Sequence, residues 1–238
     1  ADDHSALQRA DAVFGIGQVY FGRSEYTMAL EYYRIALQMQ MQHFGPTHKN
    51  AATIIHHIGI LKVTTGHYTE AFSYCMEALR MRRLELGDSH ASVGESLNAV
   101  ASICINKGQY ENAFPILKEA LKIQQNALGH VHIDVARTLN NVGVALNERG
   151  KANRAINIFL NAIDIVENMV RKNHLFIGDI SANLGDAYSQ CNDYESAMNR
   201  YNKSLHIYKA NKIPSFHPCV VKTKKSMTTT QYKQDCSC

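Results

Sequence analysis

Ala29, Ala71, Ala113, Ala155 and Ala197 stand 42 residues apart, each one the same step from the last. Other columns keep that step. Tyr26, Tyr68, Tyr110, Ala152 and Tyr194 lie three residues upstream of the alanines, and Ser24, Gly66, Gly108, Gly150 and Asn192 lie two before those. Gly17, Gly59, Ala101, Gly143 and Gly185 form a further small-residue column, and Ala36, Ala78, Ala120, Ala162 and Ser204 close the series. Self-similarity at a fixed period of this size marks a repeat array, in which each unit is one supersecondary element that buries its apolar face only against its neighbours.

The unit is helical. In the third repeat Leu97, Val100, Ala101 and Cys104 fall at i, i+3, i+4 and i+7, one face of a helix. Gly108 breaks it, and a second run places Ala113, Ile116, Leu117, Ala120, Leu121 and Ile123 on one side before Leu128-Gly129, where glycine can adopt a left-handed helix end. Each unit therefore reads as a helical hairpin, and strand alternation is absent. The small columns mark close helix crossings, where a larger residue such as Leu at Ala113 overpacks the contact at a cost of about 1–3 kcal/mol.

These columns (small residue, aromatic, alanine, alanine) resemble the tetratricopeptide repeat, whose usual unit is 34 residues. The eight extra residues, the "LGxxH" joint and the "TLNN" that opens a following helix look like the kinesin light chain class of the repeat, a sub-pattern shared with nephrocystin-3-like proteins. The resemblance implies an all-α, right-handed superhelical solenoid of five hairpins over residues 1–217, at approximately 8–49, 50–91, 92–133, 134–175 and 176–217. The family's tryptophan position is held by Val13, Ile55, Leu97, Leu139 and Ser181, and the usual "HPDVA" joint keeps its proline only at Pro218.

His48, His90, His132 and His174 recur once per repeat, and His217 follows after a joint one residue longer. A residue that returns at every joint is expected to hydrogen-bond a helix end. His130 and His132 suggest a metal site, but no carboxylate or thiol stands at a ligand spacing beside them, so neither a metal nor a cofactor is expected. Nor does any nucleophile–base pattern point to catalysis, and the pair His56-His57 reads as one surface and one groove residue. Cys75 and Cys104 occupy core columns as small hydrophobes.

In the implied solenoid the first helix of each hairpin lines a concave groove. Counting from the tryptophan column, the groove candidates are Phe14, Gln18, His56, Ile60, Asn98, Ser102, Asn106, Arg137, Asn140, Asn141, Asn147 and Asn183. An amide both donates and accepts, so a line of asparagines can pair with the backbone of an extended peptide without demanding its sequence. The competing reading is a polar, solvated helix face. No lysine falls on the groove positions of any repeat, which disfavours a ligand gripped by its terminal carboxylate.

Charge is segregated. The formal net charge is +4, but residues 209–238 hold six lysines against one acidic residue, so the body is nearly neutral and carries no basic stripe for nucleic acid. The apolar share of 45% contains no run of the roughly 18 residues a membrane span needs. Residues 218–238 lose the columns and read as a short capping helix followed by a basic flexible tail ending Cys236-Ser237-Cys238. The opening "ADDHSALQ" suggests a fragment or processed product, and the cysteine spacing suggests a reducing cytoplasm. The expected function is non-catalytic recognition of a protein or peptide segment, as in the cargo and adaptor binding of kinesin light chain, with a motor or cytoskeletal complex as partner. The alternative is a scaffold subunit of a cytoskeletal or ciliary assembly.

Overall fold

The computed structural model describes residues 3–45, 48–169 and 174–237. Among these residues there are eleven helices and no strand. They are α1 (Asp3–Gly22), α2 (Tyr26–Phe44), α3 (Lys49–Thr64), α4 (Tyr68–Leu86), α5 (Ala91–Asn106), α6 (Tyr110–Leu128), α7 (Ile133–Glu148), α8 (Ala152–Met169), α9 (Leu175–Gln190), α10 (Tyr194–Ala210) and α11 (Pro218–Ser237). The chain divides into two compact units, Ala1–Ile123 and Gln124–Cys238. In the first, α1 pairs with α2, α3 with α4, and α2 and α4 pack on the helices that follow them. In the second, α7 pairs with α8, α9 with α10, and α11 packs on α10 and α9. The expected all-α class of consecutive hairpins is the one observed.

The 42-residue period is absorbed by long helices: 16 residues in α3, α5, α7 and α9, and 19 in α2, α4 and α6. Within a hairpin the crossing depends on the missing side chain. A methyl group at Gly143 would stand 2.5 Å from the Phe159 ring, and one at Gly17 or Gly185 would stand 2.6 Å from Tyr33 or Tyr201. All three rings are buried at 1% exposure or less. In the third repeat the same pair is Ala101 and Leu117, so the methyl is admitted where the opposing side chain is aliphatic.

The turn inside each hairpin explains its column. Ser24, Gly66, Gly108, Gly150 and Asn192 have φ of 63°, 80°, 72°, 71° and 60°, the left-handed region that glycine enters freely and asparagine tolerates better than most residues.

The joints between hairpins work through the histidines. His48, His90, His132 and His174 are N-caps of α3, α5, α7 and α9, and each Nδ1 accepts the backbone N–H two residues on, at 3.2–3.3 Å. His217 repeats the bond to Cys219 at 3.4 Å. This is the helix-end role expected of them, and it requires the proton on Nε2.

The last segment differs from the expected short cap and flexible tail: α11 is a single 20-residue helix reaching Ser237. Thr223, Thr228 and Thr229 donate to carbonyls four residues back, and Gln231 donates to Asp235. Val220, Thr223 and Thr230 are buried, and Thr230 donates to Ser189 of α9 at 2.8 Å. Cys238 lies outside the described residues.

Candidate functional site

In the first unit the inner positions are largely spent on the protein itself. Phe14 packs its ring 5.4 Å from Tyr33 and 5.0 Å from His57, as part of the core between α1, α2 and α3. His56 is buried and His57 half-buried, so neither stands fully on the surface. His56 is 3% exposed and its Nε2 lies 3.3 Å from Glu95 of α5, while burial, with His56 alongside, pushes His57 down to about 4. Arg82 of α4, also 3% exposed, completes the cluster, with Nη1 3.0 Å from Glu95, 2.8 Å from Ser96 Oγ and 2.9 Å from the Ser92 carbonyl. Burial alone would raise the Glu95 carboxyl. The hydrogen bond and charge from His56, together with the Arg82 guanidinium, outweigh it and hold the group at about 2. Ile60 packs against the α4–α5 core. That leaves Gln18 and Asn106 exposed and Asn98 and Ser102 half-buried, with Asn106 donating to the Ser102 carbonyl at 2.8 Å.

The second unit is arranged otherwise. Asn183 of α9 donates to Asn140 of α7 at 3.0 Å, joining two first helices side chain to side chain. Both amides are half-buried. Asn140 keeps its own NH₂ and Asn183 its carbonyl oxygen for other partners, and the mutual bond fixes both orientations. Asn141, beside them, is half-buried too. Arg137, one helical turn before Asn140, is exposed; its guanidinium sits 5.3 Å over the Phe176 ring and 3.8 Å from Asp134.

Asn147, at the other end of α7, is only 4% exposed, and its Oδ1 has no hydrogen-bond partner among the described residues. It lines a cavity of about 270 Å³ with Asp186, Ser189, Thr230, Lys225 and Lys233. The two lysines come from α11, so lysine does reach this face of the second unit. The sequence reading overlooked them because it counted only the first helices of the five hairpins, and α11 lies past the last column. The buried side chains that sequence reasoning missed, Arg82 and Gln124, occupy one repeat column with Gln40, all three at 3% exposure or less. That column was legible as a periodic position but not as a polar one.

Among the described residues no helix is long and apolar enough to cross a membrane. No curated protein matches the chain in sequence. Among solved structures, BtubC (BKLC) from P. vanneervenii is 20% identical, with 91% of this chain and 85% of that one covered and a TM-score of 0.68. A Podosopora anserina putative kinesin light chain with nearly identical TPR-like repeats is 16% identical over 87% of this chain and 99% of its own, at 0.60. A Rap protein complexed with Competence and Sporulation Factor is 14% identical over 94% of this chain and 65% of its own, at 0.74. At these identities the likeness is one of fold. The sequence itself goes further. The family model for the tetratricopeptide repeat matches residues 8–83, 58–126, 92–168 and 134–210, so the glycine crossings, left-handed turns and histidine joints described above are those of a member: the chain belongs to the tetratricopeptide repeat family.

Proposed function

We propose that this protein is a non-catalytic adaptor that holds an extended segment of a partner protein against its first helices, a cargo- or adaptor-recognising role of the kind associated with kinesin light chain, exercised in the cytoplasm beside a motor or cytoskeletal complex. A tetratricopeptide repeat array is a protein–protein interaction module. The observation that carries the finer reading is the Asn140–Asn183 pair. Two amides locked to each other across neighbouring helices present one donor and one acceptor at a fixed spacing, which suits the N–H and C=O of a peptide backbone better than it suits any one side chain. A solvated surface has no need to fix its asparagines in this way. The kinesin-light-chain-like structural neighbours share the fold this role uses.

The test uses unstructured peptides selected from a displayed library against the purified chain. Asn98→Ala with Asn140→Ala is expected to weaken the selected peptides about tenfold or more, equivalent to roughly 1.4 kcal/mol, with the melting temperature almost unmoved. Unchanged affinity would remove the groove reading.

A scaffold role has its own support in the first unit, where Phe72, Met76 and Leu84 of α4 are 43%, 41% and 70% exposed. A protein held mainly by its second helices would use such a surface.

A further inference from the structure

Among the described residues, the end of the second unit repeats, with no second helix over it, part of a cluster that the first unit closes. In the first unit Leu79 of α4, Val93 and Leu97 of α5 and Ala120 of α6 form one buried cluster, with Ile116 and Ile123 of α6 against it. Here α6 is the lid, a second helix lying over the previous second helix and the first helix of its own hairpin. The repeat carries Leu79 to Leu205 on α10. With the one-residue longer joint, it carries Val93 to Val220 and Leu97 to Lys224 on α11. Leu205, Val220 and Lys224, with Tyr208 and Ile213, line an open pocket of about 450 Å³.

Successive second helices are also keyed by an ion pair in a constant register. Arg83, twelve residues after Ala71, meets Glu119, six residues after Ala113, at 2.8 Å. Glu167, twelve residues after Ala155, meets Lys203, six residues after Ala197, at 3.1 Å. Lys209 is twelve residues after Ala197 and is the next member of the series. It lines the pocket with Lys212 and Lys224, and none of the three forms an ion pair among the described residues. Lys212 follows α10 in a left-handed conformation, at φ 58°, and lies at the pocket.

We propose that this slot binds an acidic amphipathic helix of a partner protein, seated where the second helix of a sixth hairpin would lie. Its apolar stripe, with a small residue at the crossing, rests on the half-buried Leu205 and Ile213, and a carboxylate six residues after that small residue pairs with Lys209. Lys224 and Lys212 favour further acidic residues along the same edge. The position of the helix follows from α6 over Leu79, and its charge from the three lysines, so the site is independent of the extended-peptide face.

The probe is a displayed library of 19-residue amphipathic helices, half with acidic and half with basic residues beside the apolar stripe. Acidic helices are expected to be enriched. Lys209→Glu, a surface change, is expected to weaken them about fivefold, and replacing the helix's acidic residue by lysine is expected to restore the loss. Leu205→Glu is expected to weaken binding more than tenfold, with the melting curve of the variant confirming that it remains folded. Equal enrichment of basic helices, or indifference to both substitutions, would overturn the proposal. So would helices that respond to Asn140→Ala instead, since they would then sit on the peptide face. Binding of phosphatidylserine vesicles with no helix enriched would overturn it in favour of an anionic lipid surface.

Discussion

Arg82 and Gln124 stand one repeat apart, both buried, and meet the same requirement in different ways. Each reaches the next first helix at the position fourteen residues on: Arg82 bonds to Ser96 at 2.8 Å and Gln124 to Thr138 at 2.6 Å. At Arg82 the solution is charged, so it recruits Glu95, and Glu95 in turn recruits His56, whereas Gln40, earlier in the same column and unit, donates to Asp11 at 3.3 Å. In the second unit the solution is neutral and closes on itself. The difference teaches what each inner face has left to offer. A buried cation must be compensated by whatever polar groups the neighbouring helices can supply, and in the first unit those groups are Glu95 and, through it, His56. The neutral Gln124–Thr138 bond makes no such demand, and the Asn140–Asn183 pair of the second unit keeps one amide donor and one carbonyl acceptor outside its mutual bond.

The comparison is broken most forcefully by truncating its charged member. Arg82→Ala removes three polar contacts and leaves Glu95 and His56 facing each other without the guanidinium. It should cost about 3 kcal/mol of unfolding free energy, against about 1 kcal/mol for Gln124→Ala, which cuts one neutral bond. Denaturant titration of the two variants checks this, and equal losses would mean that the two networks are equivalent.

Acid should separate the units next. His57 titrates near 4 in the folded protein and near its ordinary 6.5 when unfolded. Between those values the unfolded chain therefore binds a proton that the native one refuses, and stability falls as pH falls from 6.5 to 4. Glu95, held at about 2 against an ordinary 4.5, extends the same loss from pH 4.5 down to 2. The His57 contribution is on the order of 2 kcal/mol, from its depressed value and partial exposure. His57→Gln should flatten the stability profile between pH 6.5 and 4, as read from unfolding midpoints across that range.

Crossings give a smaller contrast. Gly143→Ala drives a methyl into the Phe159 ring and should cost about 1–2 kcal/mol, and Phe159→Leu in the same chain should recover part of it, because Ala101 against Leu117 is the combination the first unit already uses. Histidine caps should show the smallest effect and the same one everywhere. His90→Ala and His174→Ala should each cost about 1 kcal/mol, and the corresponding asparagine variants should lose only a few tenths.

Much of this architecture was legible in the columns. Gly17 to Gly185 announced the crossings, Gly108 the break inside the hairpin, and the joint histidines their capping bonds, because each is a local requirement repeated along the chain; that the Ser24 to Asn192 column holds left-handed turns came from the structure. What was not legible depends on pairing across helices. Nothing near His56 in sequence says that its partner is Glu95, 39 residues on, or that Arg82 is buried between them. The asparagines could be placed on a helix face, but which two of them bond could not be foreseen. Lys225 and Lys233 escaped because α11 follows the repeats without their signature residues. The flexible tail expected there is instead a helix, docked through buried Val220 and Thr223 and through Thr230 against Ser189.

The central claim is that this protein holds one linear segment of a partner on its first helices. It is tested most directly by cross-linking mass spectrometry on the protein isolated with its native partners. The account predicts cross-links from one short continuous partner segment to α7 and α9, around Asn140 and Asn183. Cross-links scattered over second helices, to several proteins of one complex and with none on α7 or α9, would contradict it and make the chain a scaffold subunit.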